Sequence, residues 1–172
     1  MTAGETAAFG ELYKKYSRRL FGYCLRLLAD RGEAEEVVQA AFVKALESLP
    51  RLERPERFSS WLFTIARNDV YGRFRGARKS DAADAGDDVW DTDTPHERVI
   101  AGETSALVEG GLGRLKPEYR EVLVLRHFER LSYREIAAIT GSTVSSVESR
   151  LFKARKALLK YLEPYVHERS VS

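Results

Sequence analysis

Residues 132–151 read SYREIAAITGSTVSSVESRL and contain two helix starts separated by a turn signal. Ser132 and Glu135 have the spacing of a capping box, in which each side chain accepts a hydrogen bond from the backbone N–H of the other residue. Thr143 suits the N-cap of a second helix, because its hydroxyl oxygen accepts from an N–H of the first turn. The stretch therefore predicts a short helix, a tight turn at Gly141 and a second helix.

Three spacings in this stretch are typical of a helix-turn-helix. Ala137 is small enough to let two helices approach, Gly141 takes the positive φ of a tight turn, and Val147 locks the second helix onto the first. The buried side of the second helix is expected to consist of Val144, Val147, Leu151 and Leu158. Its exposed side is expected to present Ser145, Ser146, Glu148, Ser149, Arg150, Lys153 and Lys156.

This exposed side combines small hydroxyl side chains with positive charge. Residues 140–160 contain five Lys or Arg and one Glu, a net charge of +4. Small side chains near a helix start fit into a major groove, while basic side chains further along meet phosphates. We therefore predict that the helix binds DNA. The alternative is an αα-hairpin with a solvated basic face, which is favoured by the polar Ser142 in the turn and by the negative charge of Glu148.

The composition is that of a globular chain. Of the 172 residues, 44% are apolar and 31% are charged. No run approaches the roughly 18 to 20 apolar residues that span a bilayer, and no basic start is followed by an apolar stretch. Neither membrane insertion nor a secretory signal is expected.

The sequence offers few residues for disulfide, metal or catalytic chemistry. Cys24 is the one cysteine and the three histidines are scattered, so we expect no disulfide, no metal site and no cofactor. A nucleophile, base and orienting group do not come together, and no glycine loop is built to cradle phosphates. The sequence predicts a cytoplasmic protein that is not an enzyme.

Charge divides the chain into three parts. Residues 1–76 carry 13 basic and 10 acidic side chains, residues 77–95 carry two and six, and residues 96–172 carry 13 and 10. The middle part has few apolar residues, which is typical of a segment that does not fold alone. We predict a flexible acidic linker over 77–95 between two small helical domains, with Trp90 exposed.

Apolar residues recur every three or four positions in both domains, which predicts an all-α fold. In the first domain we expect three helices, from Phe9, from Asp30 to Pro50, and from Ser59 or Ser60 to Arg73, where Gly72 favours an early end. In the second we expect four, near 97–109, 117–128, 132–139 and 144–161. The first of these four is expected to break at Gly110, Gly111 and Gly113.

Three stretches carry a family resemblance. They are DRGEAEEVVQAAFVKALESL at 30–49, FSSWLFTIARNDVYGRFR at 58–75, and LKPEYREVLVLRHFERLSYREIAAITGSTVSSVESRLFKARKAL at 115–158. Their order over roughly 7–162 resembles the bacterial sigma factors of the extracytoplasmic-function group, which hold only regions 2 and 4. The resemblance implies that 1–76 is region 2 and 96–172 is region 4.

The resemblance also implies a mechanism. Such a subunit binds core RNA polymerase and gives it promoter recognition, and an anti-sigma protein is a further expected partner. The outward face of the second helix would bind polymerase through Glu36, Gln39, Val43 and Glu47. The third helix and the loop before it would bind and melt the −10 element through Arg54, Arg57, Trp61, Arg67, Asn68, Arg73 and Arg75. The basic face of the helix-turn-helix would read the −35 element.

Two residues depart from the family pattern. Ala40 and Gly72 stand where an acidic residue and an aspartate are common. These departures, with Glu148, keep two alternatives open. One is a helix-turn-helix regulator that acts without polymerase, and the other is a sigma-like module that binds an anti-sigma protein without opening promoters.

Overall fold

The computed structural model describes the backbone of residues 2–80 and 102–170, and the side chains of 2–77 and 105–168. Every regular element in these ranges is helical, which confirms the all-α prediction. The helices divide into two compact units, and we describe each by itself. Most of the predicted linker, including Trp90, lies outside the described residues.

The helices are named in chain order. They are α1 (Ala3–Leu28), α2 (Arg31–Ser48), α3 (Phe58–Ser80), α4 (Gly102–Gly113), α5 (Pro117–Leu123), α6 (Tyr133–Thr140) and α7 (Val144–Ser170). Short 3-10 turns at Leu49–Arg51 and Pro55–Arg57 connect α2 to α3, and a π-helical turn at Val124–Phe128 extends α5.

The first unit packs three amphipathic helices around one core. Its buried apolar side chains are Leu20, Tyr23, Cys24 and Leu27 of α1, Ala34, Val37, Val38, Ala41, Phe42 and Ala45 of α2, and Phe58, Leu62, Phe63, Ala66 and Val70 of α3. Tyr23 meets Phe63 edge to face at 5.4 Å between ring centroids, an arrangement that aromatic pairs prefer. The apolar period of α2 therefore turns its remaining positions outward.

Two boundaries in the first unit differ from the prediction. Helix α1 begins at Ala3 rather than near Phe9, because Thr2 and Glu5 form a capping box that the apolar pattern does not reveal. Helix α3 continues to Ser80 and is not shortened by Gly72. A single glycine costs a helix interior only about 1 kcal/mol, and two contacts that span Gly72 favour the helix, the Tyr71–Phe74 ring pair at 5.5 Å and the Asp69–Arg73 ion pair at 3.2 Å. The last residues of α3 thus fall inside the predicted linker.

The second unit surrounds α5, in which five of the seven residues are buried. Its apolar core includes Leu112 and Leu115, Val122–Leu125, Ile136, Val147, Leu151 and Ala154. Arg120 is only 5% exposed and donates to the carbonyl oxygens of Leu112, Gly113 and Leu115 at 2.8, 3.1 and 3.0 Å. The carbonyl groups of Leu112 and Gly113 at the C-terminus of α4, which lack partners within the helix, thereby gain a donor.

The predicted break at Gly110, Gly111 and Gly113 is wrong, because these residues lie inside α4. Gly111 is buried where α4 meets α7, and a Cβ there would lie 2.5 Å from Leu158 Cδ1 and 2.9 Å from Tyr161 Cδ1. Glycine at this position allows a close approach of two helices and does not mark a chain turn.

Helix α7 is longer than predicted and has a different buried stripe. It runs to Ser170, past Pro164, rather than ending near 161. Val144 was expected to be buried but is 37% exposed, because the buried stripe of α7 begins one turn later, at Val147. Ala154, which the prediction did not include, completes the stripe with Leu151.

Candidate nucleic-acid and partner surfaces

The helix-turn-helix has the local geometry that the sequence predicts. Ser132 N donates to Glu135 Oε1 at 3.2 Å and Glu135 N donates to Ser132 Oγ at 3.1 Å, so the capping box of α6 is complete. Gly141 has a φ of 64°, which only glycine adopts without strain. Ser146 N donates to Thr143 Oγ1 at 3.1 Å and caps α7. Val147 is fully buried.

The face of α7 that carries the predicted DNA-binding residues is open to solvent. Ser145, Glu148, Ser149, Lys153 and Lys156 are exposed, and Ser146 and Arg150 are half-buried. A groove runs along the first turns of this face and is lined by Thr143, Ser145, Ser146, Ser149, Arg150 and Lys153 of α7 and its cap. The side chains therefore stand at a concave, hydroxyl-rich and basic surface, the kind that suits a nucleic-acid backbone.

Helix α5 supplies the opposite wall of this groove, which the sequence prediction missed. Glu118 and Tyr119, in the first turn of α5, line the groove together with Ser149 and Arg150. Lys116 lies 5.9 Å from the centroid of the Tyr119 ring. Pro117 marks the start of α5 in the sequence, but nothing local indicates that this start lies beside α7.

The outward face of α2 has the arrangement that the helical period predicts. Glu36, Gln39, Val43 and Glu47 are all exposed, and Val43 keeps 56% of its surface accessible. An accessible branched apolar side chain within a polar rim is typical of a partner surface.

A groove between α1 and α2 adjoins this face and was also missed. It is lined by Tyr13, Ser17, Arg18, Phe21, Glu35, Val38 and Gln39. Tyr13 is exposed, although its ring packs on Phe42 at 4.8 Å. Because Gln39 belongs to both the groove and the α2 face, the two surfaces are continuous.

The residues predicted to handle the −10 element fall into two groups. Arg54, Arg57, Asn68 and Arg75 are exposed. Trp61 is half-buried with its ring against Phe58 at 5.9 Å, and the Arg67 guanidinium lies 4.3 Å from the centroid of the Tyr71 ring. Stacked cationic and aromatic groups of this kind bind unpaired bases.

Arg73 differs from the other predicted DNA-binding residues. Its Nε donates to Asp69 Oδ1 at 3.2 Å, and its Nη1 lies 3.1 Å from Glu36 Oε2 and 3.8 Å from Glu33 Oε1. Burial opposes its charge, but the hydrogen bonds to Glu36 and Asp69 outweigh burial and raise the pKa of Arg73. The guanidinium is therefore held between α2 and α3 by three carboxylates instead of standing open to solvent.

Cys24 lies in the core of the first unit, near this cluster. Burial, reinforced by the negative charge of Asp69, raises the pKa of the Cys24 thiol to about 12. A thiol of this kind is unreactive at neutral pH, and Cys24 packs in the core as a small apolar side chain.

Comparison with known proteins identifies the class to which this two-unit helical fold belongs. Residues 12–80 match the family Sigma-70 region 2, and residues 107–158 match Sigma-70, region 4. The RNA polymerase sigma-H factor of Pseudomonas aeruginosa is 33% identical, with 96% of this chain and 91% of that protein covered. The ECF RNA polymerase sigma factor SigW of Bacillus subtilis is 31% identical, with coverages of 92% and 91%.

A solved structure shares the fold. The sigma factor RpoE from Bartonella quintana, determined in complex with the anti-sigma factor NepR, superposes with a TM-score of 0.75 at 24% identity, covering 91% of this chain and 97% of that one. The chain belongs to the extracytoplasmic-function group of sigma-70 factors, which direct promoter-specific initiation of transcription. Within the described residues, no helix is long and apolar enough to cross a bilayer.

Proposed function

We propose that this chain is an alternative sigma factor that acts in the cytoplasm, binds core RNA polymerase through the exposed face of α2, and recognises promoters with α3 and α7. It catalyses no reaction itself. The observation that carries the proposal is the open basic face of α7 on a fully capped helix-turn-helix, within a chain that belongs to the sigma-70 family.

The polymerase-binding step is assigned to Glu36, Gln39, Val43 and Glu47. Val43 is the apolar centre of this face, and burying it against a partner contributes about 1.5 kcal/mol or more. The polar residues around it exclude water and set the orientation of the complex. The adjoining groove between α1 and α2 offers a recess beside Gln39 into which a partner side chain fits.

Promoter recognition is divided between the two units. In the first unit, Arg54, Arg57, Asn68 and Arg75 provide exposed charge and hydrogen bonds, and Trp61, Arg67 and Tyr71 provide stacking surface for unpaired bases of the −10 element. In the second unit, α7 reads the −35 element through Ser145, Ser146, Glu148, Ser149 and Arg150, while Lys153 and Lys156 contact phosphates. Arg73 is left out of this set, because Glu36 and Asp69 already neutralise it.

The linker and an inhibitor complete the proposal. Beyond the end of α3, residues 81–95 hold six Asp and no Lys or Arg, a composition that suits a tether that stays away from DNA while polymerase spaces the two units. Each unit alone neutralises few phosphates, so we expect weak promoter binding without polymerase and strong binding when both sites are linked. As in the Bartonella quintana complex, an anti-sigma factor is the proposed inhibitory partner.

Two measurements on the full chain test the proposal. The first is the affinity for bacterial core polymerase, and the second is permanganate reactivity of thymines at promoters that the resulting holoenzyme transcribes from genomic DNA. We expect tight binding and reactive thymines within the −10 element. Val43→Glu should weaken core binding about tenfold or more, whereas Val166→Glu, at a similarly exposed valine of α7, should leave it unchanged.

The outcomes separate this proposal from its alternatives. Core binding without reactive thymines would favour a sigma-like module that sequesters a partner. No core binding combined with DNA binding would favour a regulator that acts without polymerase.

A further inference from the structure

Arg73 connects two helices to which different tasks are assigned. It lies on α3, the helix proposed to bind the −10 element, yet its closest contact outside α3 is Glu36 of α2, 37 positions away in the sequence. Glu36 belongs to the face proposed to bind polymerase. On α3 itself, Asp69 one turn earlier holds the other side of the guanidinium through Nε.

The geometry of this contact requires arginine. Nε and Nη1 point in different directions of one rigid plane, so a single side chain reaches Asp69 and Glu36 at 3.2 and 3.1 Å. A lysine ammonium is a point charge that has no second arm at a fixed angle. Charge-assisted hydrogen bonds of this kind are short and directional, and they fix the side chains that make them.

Glu36 remains available for a partner while Arg73 holds it. The contact uses Oε2, and the Glu36 side chain keeps 68% of its surface exposed, whereas Arg73 is 28% exposed. A long exposed glutamate normally loses rotamer freedom when it binds a partner, and this loss weakens the complex. A glutamate that Arg73 already fixes loses less rotamer freedom on binding, so the complex is weakened less.

We propose that Arg73 is a positioning residue for polymerase binding: it fixes Glu36 and ties the polymerase-binding face of α2 to α3 instead of contacting DNA. The inference rests on the proposed function, because Glu36 must belong to the polymerase interface. It also predicts that the docking of α2 on polymerase fixes the orientation of the −10 helix, since the same guanidinium holds Asp69 on α3.

The test is a double-mutant cycle on the affinity of the full chain for core polymerase without DNA. Arg73→Met and Arg73→Lys should each weaken binding about threefold to tenfold, the range that corresponds to immobilising one long side chain. Glu36→Gln should weaken it as well. In the Glu36→Gln background, Arg73→Met should have no additional effect, because the residue it positions is gone.

Two controls distinguish positioning from charge and from folding. Arg75→Met, at an exposed arginine of the same helix, should leave core affinity unchanged and weaken only promoter binding. Arg73→Lys keeps the charge and most of the side chain, so it separates loss of the bridge from loss of charge. Protection of Cys24 from alkylation verifies that each variant keeps the first unit folded.

Several results would overturn the inference. Wild-type core affinity in Arg73→Met, full rescue by lysine, or additive losses in the double variant would each show that Arg73 does not act through Glu36. A defect that appears only with promoter DNA would return Arg73 to the DNA-binding set. If Glu36→Gln binds core normally while Val43→Glu does not, Glu36 is not a polymerase contact and the positioning role fails, although the α2 face stands. If both variants bind core normally, the assignment of the α2 face fails as well.

Discussion

The Nε of Arg120 donates to the carbonyl oxygen of Leu112 at 2.8 Å, inside the second unit, so a buried cation closes the end of α4. Nη2 of the same guanidinium reaches Gly113 and Leu115. One side chain thus satisfies three backbone acceptors at the junction of α4 and α5. Burying an arginine is tolerated because its N–H groups donate to three backbone carbonyl oxygens, of which the Leu112 oxygen also accepts from Leu115 N at 3.1 Å.

We expect Arg120→Met to lower the free energy of unfolding of the second unit by about 2–4 kcal/mol, because buried carbonyl groups lose their donors. Hydrogen exchange of the α5 and α7 amides in the full chain measures this loss. Arg134→Met, at an exposed arginine of α6, should change it by less than about 0.5 kcal/mol. If the α5 and α7 amides exchanged equally slowly in Arg120→Met and Arg134→Met, water would replace the guanidinium with no loss of stability.

Adjacent glycines in α4 should respond oppositely to alanine. A Cβ on Gly111 would overlap Leu158 and the rigid Tyr161 ring, so Gly111→Ala should destabilise the second unit by about 1–3 kcal/mol. A Cβ on Gly110 would meet only the Tyr161 hydroxyl oxygen, at 3.4 Å. There, alanine should stabilise the unit by up to about 1 kcal/mol through its helix propensity. Thermal unfolding followed by circular dichroism compares the two variants, and a stabilising Gly111→Ala would disprove the close approach.

These two features illustrate which parts of the structure the sequence reveals. The caps at Ser132 and Thr143 and the turn at Gly141 depend on residues within four positions of one another, so their spacing alone predicts them. The exposed face of α2 follows from the helical period. In the sequence, Gly111 looks like a residue that breaks the helix. The neighbour that requires glycine there, Tyr161, lies fifty positions away in the chain.

The sequence also does not reveal surface contacts between residues that are distant in the chain. The sequence groups Arg73 with DNA-binding residues because it lies among other arginines and aromatic residues, and it contains no sign that Glu36 reaches the same guanidinium. The wall that α5 contributes to the α7 groove, through Glu118 and Tyr119, is equally non-local. Local capping and periodicity therefore predict elements and exposed faces, whereas contacts between helices decide which charges remain available.

The basic residues of α7 should determine how promoter binding depends on salt. If Lys153 contacts a phosphate, Lys153→Ala should reduce the slope of log affinity against log salt by about 0.9. Arg150→Ala should weaken binding at every salt concentration, because it removes a base-edge or phosphate contact. Lys160→Ala, further along α7, is the matched control and should leave the slope unchanged. Holoenzyme binding to promoter fragments measures these effects, and an unaltered affinity and slope in Arg150→Ala would exclude this helix from the interface.

His127 should make the second unit less stable in mild acid. Burial, followed by the positive charges of Arg155 and Arg126, lowers the pKa of His127 below its ordinary value of 6.5. As the pH falls, the unfolded chain therefore takes up the proton first, so stability present above pH 6.5 is lost as the pH passes through the lower, folded pKa. Urea unfolding between pH 7.5 and 5 should show this loss of stability. In His127→Gln, the free energy of unfolding should depend less on pH over the same range. An unchanged pH profile in His127→Gln would assign the effect to other groups.

The thiol of Cys24 should report on opening of the first unit. With a pKa of about 12, the native thiol is almost entirely protonated at pH 8, and it is buried as well. Alkylation by iodoacetamide should therefore require the unit to open, and it should become fast in urea, where the pKa returns towards about 8.5. Leu62→Ala leaves a cavity in the same core and should lower the free energy of unfolding by about 2–5 kcal/mol, so labelling through the opened state should be faster by about 30-fold or more. Val166→Ala, in the second unit, should leave the rate unchanged, whereas labelling of the native chain as fast as in urea would mean that Cys24 is already accessible.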